Sequence, residues 1–84
     1  MKTLKDLEEM KTKPNNIFET QYKFFFANLE NYYLDKFDGT ERIKAELSNW
    51  DKEAQGFIMG ELIEMVSKSG IMGFDKSELL SLLD

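Results

Sequence analysis

Residues 17–37, IFETQYKFFFANLENYYLDKF, hold eight of the chain's 11 aromatic side chains. Within them Phe18, Tyr22, Phe25, Leu29 and Tyr32 recur at intervals of three or four, the repeat that stacks side chains on one face of an α-helix. Asn16 followed by Glu19 has the spacing of a capping box, and Asp38-Gly39 supplies a turn and a stop. The spacing therefore predicts a helix over 17–37 that is the main donor to the core.

Upstream, Lys13-Pro14-Asn15-Asn16 contains the only proline and forms the clearest break. It separates off a short helix over 3–11, with Leu4, Leu7 and Met10 on one side. A helix of that length does not persist without docking, so residues 1–15 are expected to include a mobile segment. Downstream, Thr40 can cap a third helix through Ile43 and Leu47. Ser48 with Asp51 repeats the capping-box spacing, which favours a kink or restart there over one helix of about 30 residues. The segment 49–69 places Trp50, Ala54, Phe57/Ile58, Leu62 and Met65 on one face, and Gly70 reads as its C-terminal cap. Asp75 and Glu78 form a last box, with Phe74 placed to staple against Leu79 over a helix of residues 76–83. No segment alternates with period two. The expectation is a single all-α domain, a small bundle of four to five helices in orthogonal or irregular packing.

Composition narrows the function classes. With neither Cys nor His, thiolate or imidazole metal sites and Cys or Ser–His–Asp nucleophiles are excluded. No cofactor is expected. The lack of Cys suits a reducing cytoplasm, and the charged first residues do not read as a signal peptide. The longest strongly apolar run, Phe24-Phe25-Phe26-Ala27, is far short of the ~20 residues a membrane span needs. Sixteen acids against 11 bases give a formal charge of −5, and Arg42 is the only arginine. Direct nucleic-acid binding is therefore not expected, because phosphates must be neutralised by bases.

Two helices carry more apolar surface than one small bundle needs. In the segment from Ser48, Met59, Ile63 and Val66 lie beside the main stripe, whereas a surface helix needs one only about 100° wide. Gly56 and Gly60 sit four apart on the narrow remaining side. Interior glycines cost about 1 kcal/mol each relative to Ala, so a close helix approach is the expected compensation. It is assigned first to packing on the aromatic helix and second to a self-association or partner face. In the aromatic helix, Phe24 and Leu34 fall off the main stripe. Either a terminal helix covers them or they anchor a partner, a role aromatics favour.

The acids invite sharper readings. Asp35, Asp38 and Glu41 cluster around Gly39, but aligning Gly39 with the calcium-loop glycine puts Leu34, Lys36 and Ala45 where acids are required. Asp35 and Asp38 at a helix C-terminus oppose the macrodipole. The turn explains Asp38, and a basic partner surface is the alternative. Glu61 beside an apolar stripe resembles a desolvated acid or base, yet no second catalytic group is placed near it. Glu9–Lys13, Glu19–Lys23 and Glu64–Lys68 have favourable i,i+4 order. Leu79, Leu82 and Leu83 share a face that is expected to dock on the bundle.

These observations point to a non-enzymatic interaction module, an accessory regulator, adaptor or inhibitor of a larger protein. Its expected contact residues are Phe24, Leu34, Asp35, Asp38, Gly56, Met59, Gly60 and Ile63. The alternatives are an assembly protein that self-associates as a homo-oligomer, or an acidic nucleic-acid mimic. Lysine-heavy, arginine-poor usage resembles that of small accessory proteins of low-GC bacteria and their phages.

Overall fold

Helix ends, more than helix interiors, set the architecture. The computed structural model describes residues 1–12, 21–35, 37–71 and 73–83. These form α1 (Leu4–Thr12), α2 (Gln21–Leu34), α3 (Gly39–Leu47), α4 (Lys52–Lys68) and α5 (Lys76–Leu80), followed by a 3-10 turn at Ser81–Leu83. No strand occurs among the described residues, which form an all-α bundle of five helices.

The aromatic helix stops at Leu34, three residues before the expected end. The Asp35 N–H donates to the Tyr32 carbonyl at 3.1 Å, and Asp35 Oδ1 accepts the Phe37 N–H at 2.9 Å. That side chain offers the backbone a turn in place of another helical bond. Gly39 follows directly under the end of α2. A Cβ there would overlap the Tyr32 carbonyl oxygen, so glycine is what lets α3 begin so close. Thr40, expected as the cap, lies inside α3, and Asp38 takes the N-cap position instead. The proposed cap at Asn16 and Glu19 and the side chain of Phe18 lie outside the described residues.

A second corner divides residues 40–69 into two helices, but three residues later than Ser48. Ser48 closes α3, its hydroxyl donating to the Ala45 carbonyl at 2.6 Å. Asp51 opens α4, with Oδ1 accepting the Ala54 N–H at 2.9 Å. The residue between them explains the shift. Trp50 is completely buried, and a helix already running from Ser48 would carry it away from the corner that the core encloses. Gln55 Nε2 donates to the carbonyls of Leu47 at 2.8 Å and Trp50 at 2.9 Å. The Leu47 carbonyl also accepts the Trp50 N–H at 3.0 Å, whereas Gln55 supplies the donor for the Trp50 carbonyl.

The N-terminal strand of chain is fastened to the same corner. Lys2 N–H donates to the Asn49 carbonyl at 2.9 Å, and the Lys2 carbonyl accepts the Asp51 N–H at 2.8 Å. The Lys2 ammonium lies 5.2 Å from the centre of the Trp50 ring, within cation–π range. These contacts deliver α1 to the bundle, where Leu7 is buried.

The core joins Leu7, Phe26, Leu29, Ile43, Leu47, Trp50, Ile58, Met59, Leu62 and Leu79, among others. In α2 the fully buried residues are Phe26 and Leu29, while Tyr22, Phe25 and Tyr32 pack at its edge. The stripe is thus rotated towards Phe26, which the spacing from Phe18 passes over. In α4 the buried face is Ala54, Ile58, Met59, Leu62 and Val66. Phe57 and Met65 move to its margin because α4 is packed by α1, α2 and α5 together. Gly70, at φ +73°, ends the α4 segment as expected. Leu79 is buried and Leu82 and Leu83 pack on the core, so the leucine tail docks on its own bundle.

Gly39→Ala is expected to lower stability by about 3 kcal/mol, since backbone rather than a flexible side chain blocks the new methyl. Urea unfolding measures this, and a change within about 0.5 kcal/mol would show that the corner is not so constrained.

Candidate functional site

An apolar strip runs along the solvent side of α2. Phe24, Ala27, Asn31 and Leu34 follow one another by three or four residues and are all exposed. Phe24 is 54% exposed and Leu34 49%. At 1.5 Å per residue the two large side chains stand about 15 Å apart, with the small Ala27 and Asn31 between them. The strip carries no charge. Neither terminal helix covers it, contrary to the first expectation for Phe24 and Leu34. α2 has already committed Phe26 and Leu29 to the core, and a helix buries one face against its neighbours.

Past Leu34 the surface turns into a corner. Phe37 is 99% exposed, held outward while its N–H is anchored on Asp35. A cavity of about 350 Å³ opens beside it, walled by Tyr33, Leu34, Asp35, Phe37, Ile71 and Glu78 with Gly39, Thr40 and Gly73. The Phe37 N–H, with help from Asp38, holds the Asp35 carboxyl below the usual carboxylate range. The acid that opposes the α2 dipole is therefore compensated locally. Asp38 meets no such penalty: at the start of α3 it faces the favourable end of that helix. Its carboxylate also binds Arg42 Nε at 3.3 Å, and the Arg42 guanidinium covers the Tyr32 ring at 5.6 Å.

The α4 residues divide differently. Met59 is fully buried and presents nothing to a partner in this fold, while Ile63 is half-buried at the margin of the core. Gly56 and Gly60 face open space, with no atom within 4 Å of an added Cβ. The expected close approach of α4 to the aromatic helix through these glycines does not occur, because α2 packs on the opposite, larger side chains. Phe57 stands beside them, 42% exposed.

A second groove, of about 290 Å³, runs between α2 and α4 past Tyr22, Lys23, Phe26, Glu61, Met65 and Lys68. Glu61 hydrogen-bonds to the Tyr22 phenol, whose pKa is raised by burial first and by that carboxylate second. Glu64, one turn on, is paired with Lys68 at 2.8 Å. Glu61 thus links α4 to the Tyr22 phenol of α2, and Glu64 lines the same groove. The Glu9–Lys13 and Glu19–Lys23 pairings fall on residues outside the description. Among the described residues, no group of three metal-ligating side chains occurs and no helix is long and apolar enough to cross a membrane.

Phe37 was the residue that spacing missed. It was assigned to the end of the aromatic helix, and its exposure depends on the Asp35 turn that ends the helix early. No protein-family model matches the sequence, and no curated protein or solved structure is significantly similar to it.

Two outcomes follow from these placements. Gly56→Ala and Gly60→Ala should each stabilise the isolated chain by about 0.5–1 kcal/mol, since helix propensity improves with nothing to collide with. Chemical denaturation reads this directly, and a loss of stability would mean that the glycine side is occupied in solution. For Asp35 the folded pKa is depressed, so its contribution is complete above the ordinary carboxylate range and is lost as pH falls on through the lowered folded value. Asp35→Asn should flatten that part of the acid stability profile; an unchanged profile would remove the Phe37 N–H bond as its source.

Proposed function

We propose that this chain is a protein-interaction module, a small accessory regulator, adaptor or inhibitor that docks on a larger protein. One observation carries the reading: the uncharged α2 strip, with Phe24 and Leu34 at its ends, stays outside the buried core. Apolar anchors of this size on a chain of net charge −5 suit a steric mechanism in which the anchors bind and the charge orients the partner. No chemical step is assigned: Glu61 lies against the Tyr22 phenol, Glu64 is paired with Lys68, and Asp35 accepts the Phe37 N–H. A chain free of cysteine suits a reducing compartment, and the cytoplasm is the proposed setting.

The test is affinity capture from the native host's lysate with the wild-type chain and with Phe24→Ser/Leu34→Ser. Both side chains are exposed, so the substitutions should change stability by no more than about 0.5 kcal/mol each. A partner recovered by the wild type and lost by a variant with an unaltered circular dichroism spectrum supports the reading. A partner that the variant still recovers removes the strip as the docking surface.

A second reading, assembly through self-association, draws on the open glycine side of α4. Sedimentation equilibrium decides it. A monomer across micromolar concentrations excludes this reading, whereas a dimer that Gly56→Leu disperses would favour it over docking on a different protein.

A further inference from the structure

The corner beyond the α2 strip differs in chemistry from the strip itself. Four stretches of chain meet there: the end of α2, the start of α3, the loop after α4, and α5. Tyr33, Leu34, Phe37 and Ile71 supply its apolar walls, and Asp35 and Glu78 supply two carboxylates. No basic side chain lines the cavity among the described residues. The one nearby arginine, Arg42, is already held by Asp38 and laid over Tyr32. The concavity therefore offers an apolar seat with two carboxylates, Asp35 and Glu78, at its rim.

We propose that this corner is a docking pocket for a basic peptide segment of a protein partner, one that seats an apolar side chain between Leu34, Phe37 and Ile71 and sets Lys or Arg against Asp35 and Glu78. The proposal rests on the interaction reading above and specifies the partner's chemistry. Charge complementarity selects the occupant. A second copy of this chain, at net −5, would bring acid against acid, and a nucleic-acid backbone would do the same. A basic segment is attracted from a distance, whereas an uncharged apolar ligand would gain nothing from the carboxylates. Phe37 is suited to the role of an anchor: its backbone is already pinned by Asp35, so little chain ordering remains to be done when its ring is covered.

Selection of a random-peptide display library on the intact chain tests this. The enriched peptides are expected to join an apolar residue to Lys or Arg, and their binding to weaken as salt is raised. Phe37→Ser should weaken the selected peptides by about tenfold or more, as loss of a central anchor does. Asp35→Asn/Glu78→Gln should weaken them and flatten the salt dependence, while the retained Asn oxygen still accepts the Phe37 N–H. Circular dichroism on each variant confirms that the fold is intact. Enrichment of acidic or uncharged peptides, indifference to these substitutions, or no enrichment at all would overturn the proposal. If lysate capture still depends on Phe24 and Leu34 in that event, the interaction reading stands and only the chemistry assigned to the corner fails.

Discussion

The burial of Trp50 at the corner between α3 and α4 is the contact on which the rest of the bundle depends. Its ring is fully enclosed and packs on Phe25 with ring centres 5.4 Å apart, which ties the aromatic helix to the corner. The same four-residue turn accepts the N-terminal backbone through Lys2 and is braced from below by Gln55. An aromatic of this size buries on the order of 200 Å², a large share of what a chain this short can remove from water. Three helices are thus positioned by one side chain and the polar groups that let it be buried.

Polar satisfaction around that corner is what makes the arrangement specific. A hydrophobic residue at a helix junction brings with it carbonyls and N–H groups that have lost their helical partners. Here Ser48, Asp51 and Gln55 each take one part of that load. At the other corner Asp35 does the same for Phe37, and Gly39 removes the Cβ that would keep α3 away from Tyr32. Both corners end helices by local competition for backbone bonds, and both leave an aromatic with a defined fate. Trp50 goes inward and Phe37 goes outward.

Much of the fold was legible in the residues. The aromatic helix, the Gly70 cap and the start at Asp75 are local signals whose cause is chain geometry. The start of α4 was misplaced because Ser48 and Asp51 are both good N-caps, and only the enclosure of Trp50 chooses between them. The spacing passes over Phe26 and leaves the face of Met59 open between the core and a partner, because periodicity states which residues share a face and not which face meets a neighbour. The glycines of α4 show the same limit. Their spacing suggests a close approach, yet α4 turns the other side to its partners.

By itself the sequence determined that this chain is helical, small, free of thiolate and imidazole chemistry, and richer in apolar surface than its core requires. Those properties follow from composition and from repeats a few residues long. Tertiary structure alone decided which part of that surface is left over. The choice depends on rotations of α2 and α4 set by neighbours distant in sequence, so Phe24, Leu34 and Phe37 stay in solvent while Met59 and Phe26 do not.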